Sequence, residues 1–287
     1  MPILAARLRQ FLQSSPLRDP TYRLFYLGSI GAALGYTMQA TISSWLMATL
    51  TPSALMVALV QTASTLPTLL FGLIAGAMSD IVERRRVIFV TQVMMLSSIT
   101  MLGVASLLGL IGPALLLTLT FLVGCAFTFY LPAQQASVNE FVSREELPSA
   151  IALSAVAFNV ARAVGPALAG AIATALGSGS ALLAGASFCT VMIVAARRWK
   201  PVEHRLPGVP ERLFTGVRSG VRFAWHSDAM RALLVRCLSF SVCASAFWAL
   251  LPVIARDLPG LGAGGSACSR QPSVPAQSSA PGPSRVS

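Results

Sequence analysis

Arg162 places a full positive charge in the middle of a long apolar segment, residues 149–176. At the usual helical rise it lies roughly 20 Å from the start of its helix. An arginine at that depth in a membrane is costly unless it faces a cavity or a partner. Asn159 lies three residues earlier, on the same helical face. We predict that both line a cavity, and a structural arginine near the inner helix ends is the alternative.

The guanidinium of Arg162 needs companions at that depth. Helix carbonyls, water, an anionic group of a bound molecule or an acid from elsewhere could each serve. The apolar segments themselves contain no Asp or Glu. This absence weakens the case for proton coupling through this part of the chain.

Two glutamines, Gln39 and Gln61, lie inside the first two apolar segments. Each could line the same cavity as Arg162 or form a hydrogen bond between helices. The sequence leaves both roles open for both residues.

The sequence contains no pattern that predicts a metal site or nucleophilic catalysis. The five cysteines form no CxxC pair and have no histidine at metal-binding spacing, so we expect no metal, disulfide framework or cofactor. His204 and His226 lie in a loop without partner residues. A membrane enzyme or a seven-span receptor is disfavoured, because the apolar segments hold no His/Asp/Glu cluster, no lysine for a Schiff base and no nucleophile motif.

The stretch GAMSDIVERRRVI, residues 76–88, concentrates charge at the end of an apolar run. Gly76 would let the second helix approach a neighbour closely, and Asp80 could accept hydrogen bonds from a helix N-terminus. Arg84, Arg85 and Arg86 would hold the loop at the lipid headgroups. An ordinary basic loop with an incidental aspartate is the alternative.

Small residues recur every four positions along the fifth apolar segment, at Ala161, Gly165, Ala169, Ala173 and Gly177. This spacing predicts a smooth face for close helix packing. The Gly165–Pro166 pair should loosen or bend the helix, since proline removes a backbone donor.

The composition favours lipid as the solvent of this chain. It has 287 residues, of which 55% are hydrophobic and only 11% charged, whereas soluble domains carry about 25% charged residues. The net charge of +11 could suggest nucleic acid, but the arginines cluster between apolar segments rather than beside aromatic residues. We therefore expect no nucleic-acid partner.

Seven segments are long and apolar enough to cross a bilayer as helices. They are residues 24–48, 54–78, 87–109, 113–132, 149–176, 180–196 and 230–255. The first segment would act as its own insertion signal, because no cleavable signal sequence precedes it. These segments predict an all-α membrane protein: a six-helix bundle followed by a seventh transmembrane helix.

Arginine sets the expected orientation. With the N-terminus inside, every basic loop is cytoplasmic, and the outer turns near Thr51, Ile111 and Ser178 contain no Lys or Arg. The expected organisation is a cytoplasmic segment 1–23, a six-helix bundle 24–196, a basic cytoplasmic loop 197–229, a seventh helix 230–255 and a disordered tail 256–287. The loop could hold a basic amphipathic helix on the inner leaflet or an ordinary linker helix. The arginine-, alanine- and glycine-rich composition suggests a bacterial gene, which implies the inner membrane.

Several of these stretches resemble the major facilitator superfamily. GAMSDIVERRR is similar to its loop between helices two and three, with matches at Gly76, Asp80, Arg84 and Arg85 and departures at Ile81 and Glu83. LRDPTYRLFYLGSIGAALG resembles the entry into helix one. SVNEFVSREELPSAIALSAVAFNVARAVGPALAG resembles the branch of enterobactin-exporter-like and macrolide-efflux-like carriers, also called transmembrane secretion effectors. The resemblance covers residues 16–264.

This resemblance implies a secondary transporter that exports a small molecule by alternating access, in contact with the lipid bilayer and with a coupling ion. The fifth-helix element GPALAG, with Gly165, Pro166 and Gly170, would then control access and leak. Family members have twelve spans, so this chain would lack the C-terminal half that Gly76 and Asp80 pack against. We expect a truncated or frameshifted product. The alternative function is a non-transporting remnant, or a half-carrier that needs a second polypeptide.

Overall fold

The computed structural model describes residues 19–199, 222, 225–228, 230–233 and 235–240, and within them helix is the one regular secondary structure. Two units, Met1–Ser219 and Gly220–Ser287, divide the chain. The first unit holds six long helices: α1 (Pro20–Leu50), α2 (Ala54–Ile81), α3 (Arg84–Leu107), α4 (Pro113–Phe141), α5 (Leu147–Leu176) and α6 (Ser178–Arg198). Each coincides with one of the first six apolar segments.

The ends of the helices depart from the apolar segments where polar residues take part in the helix. α1 begins at Pro20 because the side chain of Asp19 caps it, accepting a hydrogen bond from the backbone N–H of Thr21 at 2.7 Å. α4 continues nine residues beyond the predicted end at residue 132, to Phe141. A hydropathy pattern identifies only the apolar part of a helix, which can lie in lipid. The last turns of α4 are more polar and were therefore missed, although they continue the helix.

Five of these helices, α2 to α6, are long and apolar enough to cross a membrane. α1 is not in this group, because glycine, serine, threonine and glutamine lower its apolar character. Many of those residues, including Gly31, Gly35, Gln39 and Ser43, are buried in the bundle. Length and composition therefore support five spans among the described residues, and the predicted count of six plus one is not confirmed.

α1 lies at the centre of the bundle. It packs against α6, α5, α2 and α4, while α6 also packs along α3, and α4 packs along α2 and α3. The α1–α6 contact is close enough to require glycine: a Cβ added at Gly31 would lie 2.5 Å from the carbonyl oxygen of Phe188, and one at Gly35 would lie 2.8 Å from that of Gly185.

α2 and α5 lie at the margin of the bundle and bury the least. Exposed apolar side chains run along both, including Leu69 and Leu73 on α2 and Val160 and Val164 on α5. The buried positions of α5 are Ala150, Ala157, Ala161, Gly165 and Ala169, so the small-residue face predicted from the sequence packs inward from Ala161 to Ala169.

Charged groups collect at the end of the bundle where α3 begins and α2, α4 and α6 end. We call this the arginine end, after Arg84, Arg85 and Arg197. The first turn of α1 and of α5 lies at the same end, because successive helices alternate in direction. The tight turn at the opposite end between α5 and α6 is made by Gly177 with a φ of 87°.

The described residues of the second unit, numbered 222 to 240 with gaps, are helical apart from Ser227. Arg231 and Asp228 form an ion pair at 3.6 Å there. The first part of the predicted seventh span falls on these residues and its remainder lies outside the described part of the chain. The same is true of most of the predicted N-terminal segment, of most of the basic loop and of the whole tail.

Candidate functional site

A cavity of about 460 Å³ lies between α1, α4 and α5, in the half of the bundle near the arginine end. It is lined by Ser29 and Ala33 of α1, by Phe127, Tyr130, Leu131, Gln134, Gln135, Val138 and Asn139 of α4, and by Ile151, Ser154, Ala155, Ala157 and Phe158 of α5. Apolar surface with a few polar groups is the usual lining of a site for a small organic molecule.

Aromatic rings form one wall of this cavity. Phe127 stacks on Tyr36 of α1 with ring centroids 4.0 Å apart, and its centroid lies 6.4 Å from that of Phe158 across the α4–α5 boundary. Stacking fixes the orientation of Phe127. The wall therefore offers a rigid flat surface to a planar or apolar group.

Most polar groups of the cavity lie on its α1–α4 side. The amide Nε2 of Gln134 donates to the hydroxyl of Ser29 at 3.3 Å, and Ser29 donates onward to the carbonyl of Phe25 at 3.0 Å. Tyr130 is 3% exposed, and its hydroxyl has no hydrogen-bond partner among the described residues. A buried unpartnered hydroxyl can bind a polar group that enters the cavity.

Arg162 and Asn159 lie beside this cavity but outside its lining. Asn159 is four residues beyond Ala155 and Arg162 is four residues beyond Phe158, so both continue the α5 face that lines the cavity toward the middle of the helix. Both side chains are exposed. The amide of Asn159 donates to the carbonyl of Ala155 at 2.9 Å, and no carboxylate within the described residues lies within 4.0 Å of Arg162.

The two glutamines occupy different environments. Gln39 is fully buried between α1 and α4, where its Nε2 donates to Ser43 at 2.8 Å and to Thr120 at 3.2 Å. It makes a hydrogen bond between helices, the second of the roles left open by the sequence. Gln61 is exposed on α2. Neither glutamine lines the cavity.

The Gly165–Pro166 element lies against α1. Gly165 meets Thr37 so closely that a Cβ would overlap the threonine hydroxyl, which donates to the carbonyl of Ala161 at 3.2 Å. Pro166 lies inside α5 and has no N–H for the carbonyl of Arg162 one turn earlier. For Gly170, by contrast, none of the described residues places an atom within 4 Å of an added Cβ. The close approach therefore belongs to Gly165.

At the arginine end, two arginines of α3 tie other helices together. Arg84 donates to Glu140 Oε1 at 2.9 Å and to the carbonyl of Ala136 at 3.0 Å, both on α4. Arg85 donates to the carbonyls of Ala196 at 2.8 Å and Arg197 at 3.1 Å, at the end of α6. Carbonyls at a helix C-terminus lack partners within the helix, so cationic donors stabilise them.

The other members of the predicted motif make fewer contacts. Arg86 pairs with Glu83 at 2.6 Å on the surface. Nothing in the described residues lies within 4 Å of a Cβ added at Gly76, so the packing of this bundle does not require a glycine there. Asp80 lies in the last turn of α2, and its side chain is outside the description.

Other residues of these sites were not predicted from the sequence, among them Glu140, Tyr130 and Gln134. All three lie on α4, and Glu140 and Gln134 lie beyond the predicted end of that helix. Gln134, Ser137 and Val138 are buried at helical spacing, and this spacing is the one signal that could have extended α4.

Comparison with known proteins agrees with this architecture. The model of the transmembrane secretion effector family matches residues 12–266. A curated relative, "Multidrug efflux pump Tap" of Mycolicibacterium fortuitum, is 28% identical over 225 residues, which are 74% of this chain and 53% of that protein. The chain thus spans about half the length of the relative it matches. The match confirms the resemblance seen in the sequence: this chain is a multi-pass membrane protein of the transmembrane secretion effector family within the major facilitator superfamily.

Proposed function

We propose that this chain takes part in the export of a small amphiphilic molecule by secondary transport. The observation that carries the proposal is the cavity between α1, α4 and α5, which combines an aromatic wall with amide and hydroxyl groups. The relative's name, a multidrug efflux pump, supports efflux as the direction. The apolar part of the substrate would lie against Phe127 and Phe158, and Tyr130 and Gln134 would bind its polar group.

Arg162 and Asn159 extend this site along α5. A guanidinium on an exposed helical face at mid-membrane depth favours an anionic or strongly polar substrate group, because hydrocarbon alone would not solvate it. An acid of a facing helix would satisfy the same charge. Gln61, exposed on α2, would face the same central space, while Gln39 would keep its place in the packing.

Alternating access would come from rocking this bundle against a second one. The exposed apolar faces of α2 and α5 would meet that second bundle, and the length of the relative leaves room for it. Gly165, Pro166 and Gly170 would let α5 bend during this motion, and Gly76 and Asp80 would contact the partner's helices. A coupling ion would drive the cycle.

The arrangement of arginines supports an orientation with the arginine end in the cytoplasm of a bacterial cell. The six helices would then all span the inner membrane, with the seventh following the basic loop. The N-terminus would lie inside.

The test is transport in proteoliposomes that contain the purified chain, alone and together with the C-terminal half of a relative, with a fluorescent amphiphilic dye as probe. Replacing Arg162 by Ala or Lys should lower the initial rate roughly tenfold, equivalent to about 1.4 kcal/mol, with unchanged insertion. Val194→Ala, an exposed residue on α6, is the matched control and should keep the rate. Equal rates for all these variants would remove Arg162 from the site.

A half-carrier is the second candidate, and the exposed faces of α2 and α5 favour it. It predicts dye transport when the second half is present and none with this chain alone. Transport by the chain alone would exclude both the half-carrier and the non-transporting remnant. Absence of transport in every combination would contradict the proposed function.

A further inference from the structure

A second cavity, of about 440 Å³, lies at the arginine end between the start of α3 and the end of α6. Three arginines line it, Arg85, Arg86 and Arg197, together with a single acid, Glu83. Three guanidinium groups against one carboxylate leave an excess of two positive charges. The cavity is therefore suited to an anion.

Arg86 and Arg197 keep the most donors for a ligand. Arg85 is engaged with the last carbonyls of α6. Arg86 gives only its Nε to Glu83, and its side chain is 79% exposed. Arg197 lies over the ring of Phe89, 5.2 Å from the centroid, and no carboxylate within the described residues lies within 4.0 Å of it. Arg86 and Arg197 can thus bind the same phosphate group.

One wall of the cavity is apolar and leads onto the outer face of α3. Phe89 and Val90 form this wall, and Val90 is 62% exposed. Val93 follows three residues later and begins a shallow groove of about 640 Å³. The groove follows α3 through Ser97, Met101, Val104 and Leu108 and closes against Leu115 of α4.

The arginine-lined cavity and the apolar groove therefore lie along one face of α3, which we call the stripe. Residues 86, 90, 93, 97, 101, 104 and 108 recur every three or four positions, the spacing of a single helical face. The stripe is cationic at the arginine end and nearly all apolar beyond it. A phospholipid has the same order of polarity along its length.

We propose that this stripe binds one anionic phospholipid, with its phosphate on Arg86 and Arg197 and an acyl chain in the part of the α3 groove nearest the arginine end. Basic pockets between membrane helices recognise such headgroups. A free phosphate ion would use the same arginines but has nothing to place in the groove. The inference is independent of the proposed transport, because it concerns the outer face of α3 and not the cavity between α1, α4 and α5.

The experiment is lipid binding to the purified full chain in detergent, measured by native mass spectrometry. Phosphatidylglycerol should bind at least tenfold more tightly than phosphatidylcholine. The double substitution Arg86→Gln with Arg197→Gln should raise the Kd for phosphatidylglycerol about 25-fold, roughly fivefold for each arginine. The double Lys variant should stay within about threefold of the wild type, because it keeps both charges. Arg144→Gln, in the exposed loop before α5, is the matched control and should bind as the wild type does.

The same titration separates a lipid from a free phosphate. Glycerol 1-phosphate carries the headgroup chemistry without a chain, and short-chain phosphatidylglycerol fills the groove only in part. Both should compete poorly with the long-chain lipid. If glycerol 1-phosphate competed as well as the long-chain lipid, the site would be a phosphate site and the proposal of a bound phospholipid would be wrong. Equal affinity for the two long-chain lipids would overturn the proposal on the wild-type chain alone, even if the double Gln variant fails to fold.

Discussion

Glycines of the α1–α6 pair and two glycines of the marginal helices α2 and α5 lie in opposite environments. Between α1 and α6, glycines let two backbones touch, and an added Cβ would meet a carbonyl oxygen. On α2 and α5, Gly76 and Gly170 face open space. The helices α1 and α6 thus form a closely packed pair, which we call the scaffold. The marginal helices α2 and α5 leave room at these glycines for a partner or for motion.

Polar residues show the same contrast. Gln39 on α1 is buried and bonded within the packing, while Gln61 on α2, and Asn159 and Arg162 on α5, are exposed. The Nε2 of Gln39 is engaged in the packing of α1 against α4, and the exposed polar groups on α2 and α5 are available for a ligand or a partner helix. The cavity is thus built by α1 and α4 together with α5, one of the two least packed helices.

The largest loss of stability should come from adding a side chain at a glycine between α1 and α6. Gly31→Ala places a Cβ 2.5 Å from the carbonyl oxygen of Phe188, so backbone must move and the free energy of unfolding should fall by about 2 kcal/mol. Unfolding of the purified chain by denaturing detergent, followed by circular dichroism, measures the change.

Gly170→Ala is the matched control for that substitution on a marginal helix. Its Cβ meets open space, and alanine favours helix over glycine, so stability should stay the same or rise by up to about 1 kcal/mol. Similar losses at both positions would contradict the division into scaffold and margin.

A smaller effect should come from the arginine end, where α3 is tied to α4. Arg84→Gln leaves Glu140 and the carbonyl of Ala136 without their charged donor, which should lower the free energy of unfolding by about 1.5 kcal/mol. The same unfolding measurement applies.

Arg86→Gln is its comparison, two residues along the same helix. That arginine holds only the surface pair with Glu83, and exposed pairs contribute less than about 1 kcal/mol. If Arg84→Gln proved as mild as Arg86→Gln, the link from α3 to α4 would not stabilise the bundle. A double-mutant cycle with Glu140→Gln isolates the contribution of the ion pair itself.

The helices could be predicted from the sequence because apolar runs of bilayer length leave little choice of structure. The error at α4 has the same origin: its apolar run stops at residue 132, and the more polar stretch of nine residues that follows belongs to the helix but not to the lipid-facing part. A hydropathy pattern in one segment predicts the structure of that segment and not its contacts with other helices. The extension of α4 depends on burial against α1, which the sequence does not state.

The site could be predicted only in part, for a related reason. The depth of Arg162 follows from its position in one helix, and the structure places it at mid-helix on an exposed face. The pairing of Arg84 with Glu140 joins residues 56 positions apart, and the cavity needs three helices in their final arrangement. The role of Gln39 depends equally on a residue of another helix, Thr120.

The smallest expected change in stability distinguishes the buried Gln39 from the exposed Gln61. Gln39→Leu removes the hydrogen bonds to Ser43 and Thr120 and leaves both hydroxyls buried. Hydrogen bonds between membrane helices contribute about 0.6 kcal/mol on average, so the loss should be near that value. Gln61→Leu, exposed on α2, should leave the free energy of unfolding unchanged within error while it alters any contact with a second bundle. A stability loss at Gln61 that matched the loss at Gln39 would mean that α2 is packed in the isolated chain, and the margin of the bundle would then be part of its scaffold.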